Sequence, residues 1–135
     1  MVGATVFVFD QENRLLLLKR ADNGCWGPPG DAVEPGEGVE ESAVRETREE
    51  TGLEPGEFSL FGVFSGEEQF YRYPNGDEVH FVQIVYTART PEALVEISPE
   101  HTDWEFFGMD EIPSPISPPI VPILRNILEA FKAGH

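Results

Sequence analysis

The sequence predicts an α/β protein, a mixed β-sheet with helices packed on it. Three observations carry that expectation. Apolar, β-branched and aromatic runs recur at residues 4–9, 15–18, 58–64 and 79–88. A stretch free of Gly and Pro, residues 39–51, is closed by Gly52, as a helix ending in a left-handed glycine should be. Near the C-terminus Ile123, Ile127, Leu128 and Phe131 fall at helical spacing.

In chain order, the turn chemistry of residues 10–13 follows the first run, and Leu15 to Leu18 then form a run suited to a strand buried on both faces. The two read as a hairpin ending at Lys19 and Arg20. Residues 23–38 hold five Gly and three Pro, too many for a helix or a central strand. The helix of residues 39–51 comes next, then the runs at 58–64 and 79–88, separated by a strong turn signal at 73–77. A short strand is expected at 104–107. Residues 113–119, with four prolines in seven positions, make a rigid loop. The last helix covers 120–132, where Pro122 is tolerated in a first turn. The order is β-β-loop-α-β-β-β-α, without repeats or linkers, in a single domain expected over residues 1–135.

Composition narrows the function classes. The chain carries 9 Lys plus Arg against 25 Asp plus Glu, a formal charge of −16. That balance argues against binding duplex nucleic acid, which needs clustered cations. An anionic small ligand remains compatible if a divalent cation stands between it and the protein. No apolar run approaches membrane-spanning length, and residues 1–10 lack a signal peptide's basic start. A single Cys25 points to a reducing, cytoplasmic compartment. Neither Cys25 nor His80, His101 and His135 shows zinc-ligand spacing.

The chemistry concentrates on the first helix. Glu46, Glu49 and Glu50 fall within an arc of about 100° at 100° per residue. Three like charges so placed repel, and hard oxygen ligands on one face suit Mg²⁺ or Mn²⁺. Beside them Ala43, Val44, Thr47 and Thr51 form a less polar stripe that can pack on the sheet. Arg45 borders the acidic arc and can fix a Glu rotamer.

Taken together, Glu37, Arg45, Glu46, Glu49, Glu50 and Gly52 match the box G-x5-E-x7-R-E-U-x-E-E-x-G-U, where U is bulky aliphatic. Residues Trp26-Gly27-Pro28-Pro29-Gly30 are similar to the Gly-rich entry to that box. On these motifs the chain resembles the Nudix hydrolase (MutT-like) family over essentially its whole length. The resemblance implies an α/β/α sandwich with a mixed sheet between helices. It further implies hydrolysis, with Mg²⁺ or Mn²⁺, of a nucleoside diphosphate linked to another group. Two positions depart from the box: Asp31 stands where it has glycine, and Thr47 where it has an aliphatic residue.

Carried over residue by residue, the resemblance gives Glu46, Glu49 and Glu50 as metal ligands, with the Gly30 carbonyl beside them. Glu37 and Arg45 would hold loop and helix together. The base is one of these Glu or a later-loop carboxylate, for which Glu100 ranks ahead of Asp103 and Glu105. Arg20 is the candidate for gripping substrate phosphate, with Lys19 as the alternate, since strand alternation turns only one toward a cleft. Trp26, Phe70, Tyr71 and Tyr73 could stack on a base. The partner is a small nucleotide substrate, and the sequence leaves a homodimer open. The rival reading, favoured by Asp31 and Thr47, is a fold relative that binds or senses a nucleotide without cleaving it.

Overall fold

The computed structural model describes residues 1–91 and 94–134. His135 lies outside the described residues. Among the described residues there are nine strands and two α-helices: β1 (Val2–Phe9), β2 (Leu15–Arg20), β3 (Trp26–Gly27), β4 (Gly30–Ala32), α1 (Val39–Thr51), β5 (Gly56–Phe64), β6 (Phe70–Arg72), β7 (Glu78–His80), β8 (Val82–Arg89), β9 (His101–Phe107) and α2 (Val121–Gly134). The main sheet is mixed. Strand β1 runs parallel to β8, and the other pairings, of β1 with β2 and β4, of β2 with β3 and β9, and of β5 with β8, are antiparallel.

Alternation along the central strands builds a core on each face. Ala4, Val6, Val8, Leu16 and Leu18 pack with Ala43 of α1. Phe7, Phe9, Leu15 and Leu17 pack instead with Ile123, Leu124 and Ile127 of α2. Leu15 to Leu18 are wholly buried, as a strand covered on both faces requires. The helices thus sandwich the sheet. Among the described residues no helix is long and apolar enough to cross a membrane.

Several expectations need correction. The first two strands meet only at Phe9↔Leu15 and then splay apart. Past that point β1 pairs with β4, and β2 with β3, so the Gly/Pro-rich loop supplies two short strands to the gap. Expected as one strand, residues 79–88 break at Phe81, whose N–H turns to the Gln69 carbonyl at 2.9 Å. The part before the break, β7, forms a separate two-stranded hairpin with β6. Five strands therefore follow α1 where three were expected.

Candidate active site

Helix α1 has no side-chain N-cap at Gly38, but Glu40 and Glu41 occupy its first turn, where the helix dipole favours acids. Gly52 ends it at φ 73°, its N–H bonded to the Arg48 carbonyl. Thr47, an atypical apolar position by sequence, is completely buried. Its hydroxyl donates to the Ala43 carbonyl at 2.8 Å, which satisfies the polar atom within the helix and lets the methyl pack.

That packing turns the acids of α1 to different fates. Arg45 donates from Nε and a terminal nitrogen to the two Glu37 oxygens at 2.7 and 3.0 Å, fastening the loop before α1 to the helix. Its other terminal nitrogen lies 2.9 Å from Glu46 and 3.0 Å from Glu49. The guanidinium holds the Glu37 carboxyl below the ordinary range. Glu49 stays largely in solvent, its side chain 58 % exposed.

Glu46 and Glu50 are buried. Glu50 accepts a 2.7 Å hydrogen bond from the Gly30 N–H. Burial pushes its carboxyl up to about 9 despite that bond, with further upward pressure from the charges of Glu46, Asp31 and Glu100. Glu46 is raised first by burial and then by Asp31, against the pull of Arg45. The expected trio is thus two buried, mutually repelling carboxylates and one solvent-facing carboxylate tied to Arg45. Among the described residues, no three His, Cys, Asp or Glu side chains stand close enough to hold a metal ion as they lie. The chemistry of the donor set still fits a hard divalent cation: buried oxygens, unneutralised on the cleft side, whose repulsion such a cation relieves.

Gly30 places this group. Its φ is 148°, and a Cβ there would lie 2.3 Å from the Ala4 carbonyl oxygen, so only glycine lets β4 approach β1 this closely. Asp31 is extended in β4 opposite Ala4 and is not among the residues with positive φ. Asp31 therefore makes no left-handed turn here. What Asp31 brings is charge.

The cleft opens at the splay between β1 and β2, with a volume of about 130 Å³. Gly30, Asp31 and Glu50 line one end, with Arg20, Leu18 and His101; Tyr71 and Tyr73 come from the separate hairpin. Arg20 faces this space but is held by Asp22 at 2.8 and 2.9 Å, which raises its basicity and depresses that of Asp22. Lys19 does not line the cleft. Its ammonium sits 6.0 Å over the Trp26 ring. Trp26 is likewise directed elsewhere, edge-on to Phe107 at 5.2 Å among the α2-side core. Phe70 lies against His80. Tyr71 lines the cleft, accepts from Asn23 Nδ2 at 3.0 Å and meets Tyr73 edge-to-face. Glu100 is exposed at the turn before β9 and acts on Glu50 through charge. Asp103 and Glu105 lie along β9 opposite Lys19 and Leu17, away from the cleft lining.

Two cleft residues escaped the sequence. His101, considered only for zinc spacing, is buried with Nε2 3.7 Å from Glu50 Oε1, and burial lowers its basicity. Gln83 is buried in β8, where Thr87 and Arg89 are polar as well, so the run itself did not single it out.

Comparison with known proteins agrees with this fold. The NUDIX domain profile matches residues 1–131. The ADP-ribose pyrophosphatase of Methanocaldococcus jannaschii is 38% identical over 109 residues, 78% of this chain and 61% of that protein. The asymmetrical bis(5′-nucleosyl)-tetraphosphatase of Sus scrofa is 34% identical over 99 residues, 70% of this chain and 65% of that protein. The chain thus spans a little under two thirds of these relatives' own lengths. A crystal structure of a MutT NUDIX hydrolase from Burkholderia pseudomallei superposes with a TM-score of 0.74 at 30% identity, covering 95% of both chains.

Proposed function

The chain belongs to the Nudix family, and from that premise we propose that it is a divalent-metal-dependent pyrophosphohydrolase. Its substrate would be a nucleoside diphosphate linked to another moiety: a nucleoside triphosphate, an ADP-ribose-like compound or a dinucleoside polyphosphate. The relatives named for such substrates support the class. The observation that carries the reading is Glu50, a buried carboxylate at the end of an open cleft, held by a backbone N–H and flanked by Glu46.

Glu46, Glu49 and Glu50, with the Gly30 carbonyl, would hold Mg²⁺ or Mn²⁺. Such a cation, when bound, acidifies water and offsets charge on phosphate oxygens. The chain's own residues do the rest. Arg45 and Glu37 fix α1 against the loop, so that Glu46 and Glu50 keep their place beside Gly30. Arg20 orients a phosphate, exchanging part of its contact with Asp22 for the substrate oxygen. A carboxylate, Glu100 or one of the helix glutamates, takes a proton from the attacking water.

Glu50→Gln, assayed with Mg²⁺ and Mn²⁺ on a panel of these substrates with products identified, should lose at least a hundredfold in kcat. Wild-type turnover by that variant overturns the assignment. Asp31 favours a second reading, a nucleotide-binding module, because it adds a carboxylate where the box has none; nucleotide affinity in the wild type without product formation would establish it.

A further inference from the structure

At the end of the cleft away from Glu50, the parallel pairing of β1 with β8 brings Gly3 level with Gln83. The Gln83 side chain is buried and lines the cleft. The Thr5 hydroxyl donates to Gln83 Oε1 at 3.0 Å in a buried contact. That bond occupies the amide oxygen and leaves the Nε2 donors for the cleft. Gly3 supplies the room, since a Cβ there would stand 2.6 Å from Oε1. Across the cleft, the Tyr71 hydroxyl accepts from Asn23 and so keeps its own proton to donate. Two oriented side-chain groups in this part of the cleft therefore offer hydrogen.

Gln83 and the Gly30 region are separated by two strand spacings, β8 to β1 and β1 to β4. At about 4.8 Å each, and with two residues of offset along the strands at about 3.3 Å each, that is roughly 12 Å, a span that a nucleotide covers between a phosphate and the far edge of its base. We propose that Gln83 is a specificity-determining residue whose amide donates a hydrogen bond to a carbonyl oxygen of the substrate's nucleobase, so that the cleft favours oxo-bases over amino-bases. The proposal rests on the nucleotide reading above. Hypoxanthine offers an oxygen where adenine carries an amino group. An amino group facing Nε2 leaves two donors opposed with no acceptor, and a buried donor left unpaired is the strongest basis for rejecting a ligand.

The test is calorimetric binding of inosine and adenosine 5′-monophosphates in Mg²⁺, with turnover of inosine and adenosine triphosphates measured in parallel. The wild type should prefer the inosine compound at least fivefold in both affinity and kcat/KM. Gln83→Leu should bring the two within twofold, with the loss falling on KM of the oxo-base. Gln83→Glu keeps an acceptor for Thr5 but removes the donor, and should also abolish the preference. Gly3→Ala, which pushes the amide aside and leaves Gln83 intact, should weaken it. Equal handling of the two bases by the wild type, or an equal loss on both in Gln83→Leu and Gln83→Glu, overturns the proposal while leaving the hydrolase reading standing. Base preference in binding without turnover overturns the hydrolase reading alone, and no binding of either nucleotide overturns both.

Discussion

Replacing Gly30 with alanine should cost this protein a large part of its stability, because two separate penalties meet at one Cβ. The backbone there sits at φ 148°, which an L-residue adopts at a cost of about 1–3 kcal/mol. The added methyl would also lie 2.3 Å from the Ala4 carbonyl oxygen and 2.8 Å from Thr5 Cα, both main-chain atoms of a buried strand that cannot rotate away. Forcing such atoms apart costs about a further 1–3 kcal/mol. The sum is roughly 3–5 kcal/mol if the central values of both ranges apply. With about 2.1 cal/mol/K of unfolding entropy per residue, a chain of 135 residues has about 0.28 kcal/mol/K. The melting temperature should therefore fall by about 10–18 °C. Gly36→Ala is the control: its φ is 81°, yet nothing lies within 4 Å of its Cβ position. It bears the backbone penalty alone, about 1–2 kcal/mol, and should lose only about 4–7 °C. Scanning calorimetry of both variants reads the difference. Equal melting temperatures for the two would refute the claim that β4 is pressed against β1 through a glycine that has no substitute.

Three other perturbations follow from the site. Glu50 has a folded-state pKa of about 9, raised above its unfolded value, so its contribution to stability is full below the unfolded pKa near 4.5 and is lost as pH rises toward 9. In metal-free protein the melting temperature should fall between pH 7 and 9, above the range where the lowered groups Glu37 and His101 act; Glu50→Gln should flatten that slope, and fluorimetric melts with identical slopes would contradict it. Asp31→Gly removes a carboxylate that raises both Glu46 and Glu50, so calorimetric titration with Mn²⁺ should show a several-fold weaker affinity, on the order of 1 kcal/mol; an unchanged affinity would mean that Asp31 lies outside the cation's field. Arg20→Met should raise KM for a nucleotide substrate at least tenfold, whereas Lys19→Met, whose ammonium lies over Trp26, should leave it within twofold; equal effects in steady-state kinetics would remove the assignment of Arg20 to the cleft.

The pattern of what the sequence disclosed has a physical cause. Helix α1 and its left-handed end at Gly52 were legible because each depends on residues close in sequence, whereas the Arg45–Glu37 clip was legible only through the family resemblance. The buried run at Leu15 to Leu18 was legible because covering both strand faces leaves no alternation. Trp26 was ambiguous, since an aromatic ring suits a cleft and a core equally, and only the tertiary position of Phe107 decides between them. His101 and Gln83 were not legible as cleft residues. Their roles arise from pairings across the fold, Gly3 with Gln83 and Arg20 with His101, that no local spacing announces.

The same long-range pairings account for how so acidic a chain can receive an anion. On its outer side the acid cluster is partly offset by Arg45, which engages Glu37, Glu46 and Glu49 at once. On its cleft side Glu50 has the Gly30 N–H and, at 3.7 Å, His101 Nε2, while Asp31 and Glu100 add negative charge. The one cleft arginine, Arg20, is already matched by Asp22. A phosphate entering this space meets the negative charges of Asp31 and Glu100, which a cation arriving with it or before it would offset. On the proposed reading, the burial of Glu46 and Glu50 beside one another would therefore also make cation and nucleotide bind as a pair. The splay of β1 from β2 brings both halves to one opening: Gly30 and Glu50 by way of β4, and Arg20 at the end of β2.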